Sequence, residues 1–321
     1  MSSDPVLAEV WRGEFLEGLH HGALAVTGPS GETRFSFGDV GSPMLPRSAV
    51  KPFQAIAMLR HGLDLEGAEL ALAAASHSGE PFHLEAVLRI LDGAGLDVRA
   101  LGNTAGLPID GRAESDWLAA GRHEERLAHN CSGKHAAMLL TCVRAGWPTE
   151  GYLDPDHPLQ RAAREAIAEF TGEAPAAPLV DGCGAPAFVA SLAGLARAFG
   201  TLASASDGPA RLVADAYRAH PEYASGSRRY EAVLHREVPG LVCKQGAEGV
   251  LAIGLADGTG IAIKVNDGHD RAAVAAAVAA LGSLGRATQN VCALDPYPVL
   301  GHGRAVGRVV ASAHLVGSLT P

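Results

Sequence analysis

A chain of 321 residues, 47% hydrophobic and 19% charged, has ordinary globular composition and is long enough for one large domain or two packed lobes. A formal net charge of −9, with no basic run, argues against nucleic acid or an anionic membrane as the main partner. The most apolar stretch, Ala272 to Leu281, is too short to span a bilayer. The N-terminus lacks a basic region followed by an apolar run, so no secretory signal is expected. Five scattered cysteines fit a reduced compartment, and the expected location is the cytoplasm.

In chain order, the first forty residues read as strands. Residues 9–13 and 22–27 are separated by polar and turn residues, and Pro29-Ser30-Gly31 turns into the alternating run Thr33-Arg34-Phe35-Ser36-Phe37. From about Glu66 to Gly285 the chain is mostly helical, with helices expected near 66–75, 82–91, 114–121, 134–145, 158–170, 187–198, 208–219 and 269–284, and a loop at 100–112. Strands return at 249–256 and 260–265, flanking Asp257-Gly258, a strong hairpin signal. The pattern predicts an α+β fold, with one antiparallel sheet built from both ends of the chain and a helical lobe beside it. As a single domain over residues 1–321, the sheet would come from about 8–40 and 240–321 and the helical lobe from about 60–238.

Chemistry concentrates in a few polar turns. Pro46-Arg47-Ser48-Ala49-Val50-Lys51-Pro52 places a serine and a lysine three residues apart before an apolar run. On a helix these share a face, so the amine can serve as base for the hydroxyl. Burial and the charge of Arg47 would lower the lysine toward the neutral form such a base needs. The plain structural reading makes Ser48 a helix cap and Lys51 a solvated charge. Ser76-His77-Ser78-Gly79 is a polar turn between helices. Lys264 closes an apolar strand, either as an exposed terminus or as a charge aimed into a cleft.

His129-Asn130-Cys131-Ser132-Gly133-Lys134-His135 opens a helix, where free backbone donors gather. The spacing of a phosphate loop is absent. Cys131 and Cys183, the latter between two glycines, could bind a soft metal such as zinc with a third ligand from His129, Lys134 or His135. Cys142, Cys243 and Cys292 read as core thiols.

Together the motifs at 46–54, 76–80, 130–135, 181–186, 244–249 and 263–268 resemble the asparaginase II family of Rhizobium type, in the expected order from about residue 10 onward. The resemblance implies a fold similar to serine β-lactamases and glutaminases, hydrolysis of L-asparagine to L-aspartate and ammonia, and a homodimer. It implies two serine–lysine pairs: Ser48 with Lys51, and Lys264 with Ser76, or with the nearby Ser78. It also implies a zinc held by Cys131, Lys134 and Cys183. Arg47, His77, Asp181, Gly246 and Glu248 are the candidates for holding substrate. The rival readings are a β-lactamase-like serine hydrolase and a catalytically silent zinc or amino-acid binding protein.

Overall fold

The computed structural model describes residues 4–174 and 176–319. The chain divides into two compact units, one of Met1–Ala49, Ala190–Ser204 and Val233–Pro321, the other of Val50–Val189 and Ala205–Ala232.

The first unit holds the expected antiparallel sheet. Its strands run Gly307–Ala311, Val6–Arg12, Phe15–Thr27, Gly260–Val265, Val250–Gly254 and Val242–Gly246, with Thr33–Phe37 also paired to Phe15–Thr27. The long strand Phe15–Thr27 joins the halves: its start pairs with Val6–Arg12 and its end with Gly260–Val265. Side chains alternate between faces along each strand. Ala262 on one face and Ile261 and Ile263 on the other are all fully buried, so helices cover both faces. Each buried isoleucine contributes about 1.5–3 kcal/mol. The helices are Leu192–Ser204 and Asp270–Ser283, both packed across the central strands. Seating the first requires glycines. A Cβ on Gly260 would lie 1.8 Å from the Ala196 carbonyl oxygen, and one on Gly254 would lie 1.9 Å from that of Phe199.

The helix expected at 187–198 instead spans Leu192–Ser204. Pro186–Ala187 pairs with Leu179–Val180, and Ala190–Ser191 pairs with Pro43–Met44, so strand pairing overrides the alanine-rich composition. Strands Val242–Gly246 and Gly307–Ala311 and helix Tyr230–Glu237 were not among the predicted elements. Cys292, expected in the core, is exposed, whereas Cys142 and Cys243 are buried.

The second unit is helical. Helix Lys51–Arg60 packs on Pro158–Thr171 through Ala57, Ala162 and Ala166, with Phe53 and Phe170 rings 5.1 Å apart. Helix Gly67–Ala73 packs on Gly208–Ala219 and on Ser132–Ala145. At the last contact a Cβ on Gly133 would sit 2.7 Å from Leu72 Cγ, so the start of that helix needs a bare Cα. Among the described residues, no helix is long and apolar enough to cross a membrane.

Candidate functional site

Ser48 lies in a 3-10 turn, Arg47–Val50, that leads into helix Lys51–Arg60. Pro52 explains the helix start, since its missing N–H costs nothing in a first turn. The N-cap position is Val50 and carries no side-chain cap, so Ser48 is not the helix cap that the plain reading makes it. Arg47 has φ +53°, a left-handed conformation uncommon for a residue with a Cβ. It turns the chain sharply just before Ser48, which is half-buried.

Lys51 is 1% exposed, so it is not a solvated charge. Its amine donates to the Ala75 carbonyl at 2.6 Å, to Ser76 Oγ at 2.9 Å and to Cys131 Sγ at 3.2 Å. These three acceptors take up the directions around the amine nitrogen other than its bond to Cε. Ser76 is therefore the serine of the 76–80 turn that meets Lys51. Ser78 turns away, donating from Oγ to the Ser225 carbonyl at 3.2 Å, with Gly226 packed against it.

Cys131 continues the same cluster at the N-cap of helix Ser132–Ala145, where the helix dipole favours a thiolate. A hydrogen bond with Cys183 is the main influence holding its pKa well below the ordinary thiol value; the charges of Lys51 and Lys134 add to this and outweigh burial. Lys134 donates to Cys183 Sγ at 3.3 Å. Burial pulls its pKa down, but the opposing attraction of Cys183, Cys131 and Asp181 is larger in sum and raises it. Cys183 sits in a tight turn closed by the Asp181 N–H on the Ala185 carbonyl at 2.9 Å, with Gly184 at φ +88°. Asp181 Oδ1 accepts from the Gly182 N–H at 2.9 Å, and Cys183 Sγ lies 3.8 Å from Asp181 Oδ2. Two thiols and one amine thus converge, a donor set that fits a soft divalent metal such as zinc. Among the described residues, no three His, Cys, Asp or Glu side chains do so, and a metal here would rely on the lysine amine.

His77 is fully buried. The Gly79 N–H donates to its Nδ1 at 3.1 Å, so Nε2 carries the proton and donates to Ser132 Oγ at 2.9 Å. Ser132 Oγ in turn donates to the Leu127 carbonyl. With both ring nitrogens engaged, His77 ties the Ser76 segment to the helix that carries Cys131 and Lys134. Its ring stacks on His83, at 5.1 Å between centroids. Burial pushes His83 down to about 4 from 6.5, opposed by its hydrogen bond to the Glu222 carbonyl. The unfolded chain takes up this proton near pH 6.5 and the folded chain only near 4. The stability associated with neutral His83 is thus full above about pH 6.5 and is lost as pH falls toward 4. Denaturant midpoints are expected to drop between neutral pH and about pH 4 and to drop less steeply in His83→Phe. An equally steep fall in the variant would assign the acid sensitivity elsewhere.

In the other unit, Lys264 is half-buried at the end of strand Gly260–Val265. Its amine donates to the Glu248 carbonyl at 2.7 Å and to the Val265 carbonyl at 2.5 Å. Burial lowers its pKa, with Glu248, Asp267 and Asp4 opposing. The Glu248 side chain is exposed, and Gly246 is buried with its bare Cα against the Pro46 carbonyl.

Three groups escaped the sequence reading. Tyr152 Oη accepts from the Gly102 N–H and bonds His135 Nδ1, both at 2.8 Å. His135 Nε2 has no partner of good geometry; burial pushes this imidazole down to about 4, and the Cys183 sulfur opposes it. Thr104 Oγ1 donates to the Gly182 carbonyl at 3.0 Å and steadies the Cys183 turn. His20 lies 2.5 Å from Asp267 and accepts from Arg271 Nε at 2.9 Å. None belongs to a local motif; only the folded chain joins such distant positions.

No curated protein matches this chain. Among solved structures it is similar to a β-lactamase from Mycobacterium bovis, at 16% identity over 81% of this chain and 94% of that one, with a TM-score of 0.44. It is also similar to a probable glutaminase from Bacillus subtilis complexed with 6-diazo-5-oxo-L-norleucine, at 15% identity over 78% of each chain, with a TM-score of 0.36. At these values the likenesses carry no functional weight. Residues 8–311, nearly the whole chain, match the L-asparaginase II family, and the chain therefore belongs to that family of amidohydrolases.

Proposed function

We propose that the protein hydrolyses L-asparagine to L-aspartate and ammonia through a serine ester. Ser48 Oγ attacks the side-chain amide carbonyl, and its proton passes to a lysine amine. That proton then goes to the departing nitrogen, so the C–N bond breaks and ammonia leaves. Water adds to the ester carbonyl, the Ser48 oxygen is expelled and regains a proton, and aspartate is released. Lys51 and Lys264 are the amines assigned to proton transfer, with Ser76 as the hydroxyl bonded to Lys51. The observation that carries this reading is the fully buried Lys51–Ser76 hydrogen bond in a chain of this family. A buried lysine beside a hydroxyl has no packing advantage over an apolar pair, which supports a chemical role for it. Arg47 and Asp181 are assigned to holding the substrate, and the enzyme is assigned a homodimeric state, which sedimentation checks.

Cys131, Lys134 and Cys183 would hold the zinc, which when bound supplies positive charge that polarises neighbouring polar groups. The chain's own part is to surrender protons, since a ligating amine must be neutral and a ligating thiol ionised. The proton on Lys134, whose pKa is raised by its thiol neighbours, is the main competitor of the metal for that amine. Zinc affinity, measured by competition with a chromophoric chelator, is expected to weaken as pH falls. An affinity that does not change with pH would remove Lys134 from the ligand set.

Ammonia release from L-asparagine by purified, folded, zinc-loaded protein tests the proposal. Absence of release would overturn it. Glutamine differs by one methylene, a distinction a pocket can make by about 1–3 kcal/mol, so the two substrates should be compared directly.

A further inference from the structure

Among the described residues, three without a glycine's freedom have left-handed backbone: Arg47, Glu248 and His302. Arg47 directly precedes Ser48, and the Glu248 carbonyl accepts from Lys264. A strained non-glycine residue persists where its surroundings over-determine it. The exposed side chain of Glu248 does not explain its φ of +63°; glycine or asparagine would fill such a turn more easily.

We propose that the turn Gly246-Ala247-Glu248-Gly249 is a main-chain positioning element, which aims the Lys264 amine through the Glu248 carbonyl and keeps it in register with the Ser48 turn. The inference rests on the catalytic reading above for its purpose, but its geometry stands on contacts within one unit. At one end of the turn, Gly246 lies directly on the chain leading to Ser48, because a Cβ there would sit 2.3 Å from the Pro46 carbonyl oxygen. At the other end the turn is bound to the segment following Lys264. The Val265 N–H donates to the Gly249 carbonyl at 2.9 Å. A Cβ on Gly249 would lie 2.8 Å from Val265 Cβ, and one on Gly268 would lie 3.3 Å from Glu248 Cα. The two turns therefore meet with no room for further side chains, and each offers one carbonyl to Lys264.

Besides its bond to Cε, an amine nitrogen has three directions. Two are taken by the Glu248 and Val265 carbonyls, which can only accept. The neutral amine keeps both bonds and holds its lone pair along the third direction. The protonated amine keeps both and holds its extra N–H along the same direction. Taking and returning a proton thus needs no rotation of the side chain, the kind of preorganisation that fixed geometry supplies in catalysis. Glu248, Asp267 and Asp4 are the charged groups acting on this amine. Asp267 is itself held by His20 and by the His269 N–H.

The test is a graded series in the full-length protein: Glu248→Asn, Glu248→Ala and Glu248→Val. All three remove the carboxylate equally, so differences among them report the backbone alone. Asparagine tolerates the left-handed region, alanine poorly and valine least. The kcat is expected to fall in that order, with valine about tenfold or more below asparagine and KM within about twofold, as misplacement of a reacting group predicts. Reductive methylation of Lys264, followed by mass spectrometry against surface lysines, is expected to quicken in the same order as the clamp loosens. Equal kcat and equal labelling for asparagine and valine would overturn the proposal. If the valine variant does not fold, the asparagine–alanine comparison decides. A wild type that releases no ammonia would defeat the catalytic reading alone, while the labelling series would still decide the clamp.

Discussion

Ser48→Ala is expected to lose at least about a thousandfold in ammonia release, since removing a covalent nucleophile leaves only binding and electrostatic stabilisation to act. The same variant is expected to melt with the wild type, because Ser48 neither caps helix Lys51–Arg60 nor lies in the core. The two measurements belong together. Lost turnover with an unchanged melting temperature assigns Ser48 a chemical role, and lost turnover with lost stability would assign it a structural one. Substantial turnover in the variant would move the nucleophile elsewhere, and Ser76 on Lys51 would be examined next by the same substitution.

Gly260→Val is expected to cause the largest loss of stability. Its new Cβ would lie 1.8 Å from the Ala196 carbonyl oxygen and 2.7 Å from Thr27 Oγ1. Neither neighbour can give way cheaply. The carbonyl belongs to helix Leu192–Ser204, and Thr27 is on the adjacent strand. The helix must lift off the sheet, at a cost of about 3 kcal/mol or more. For 321 residues that corresponds to a fall in Tm of roughly 4–5 °C, readable by calorimetry. A change of about 1 °C would mean that the helix is not seated on the glycines.

Local chemistry and the gross origin of the sheet were readable from the chain, and the partners of individual side chains were not. Asp257-Gly258 marked its hairpin because a left-handed Gly258 is a requirement of the turn itself. Strand Gly260–Val265 and the pairing of the two chain ends followed from apolar runs at both termini. Gly307–Ala311 was missed because it is a short half-buried edge strand whose pattern lies in its partner, Val6–Arg12. The helix at Leu192 was placed too early because alanine and leucine favour a helix whether or not a strand partner claims the residues before it. At the site, the motifs around Ser48, Cys131 and Cys183 declared themselves by composition. Their partnerships did not. That Lys51 meets Ser76, that His77 bonds Ser132 and that Tyr152 bonds His135 are facts of packing between segments 17 to 55 residues apart.

The pairing of Val6–Arg12 with Gly307–Ala311 bears on how the chain is made. The edge of Val6–Arg12 that takes Gly307–Ala311 has no partner until the residues between the two strands have been synthesised. At about 5–20 residues per second, that edge waits roughly 15–60 s. Sheets closed by such distant segments form late and slowly, and an open strand edge invites pairing with other chains. A nascent chain stalled before residue 307 would therefore be a substrate for chaperones, and overexpression at lower temperature or slower synthesis should raise the soluble yield.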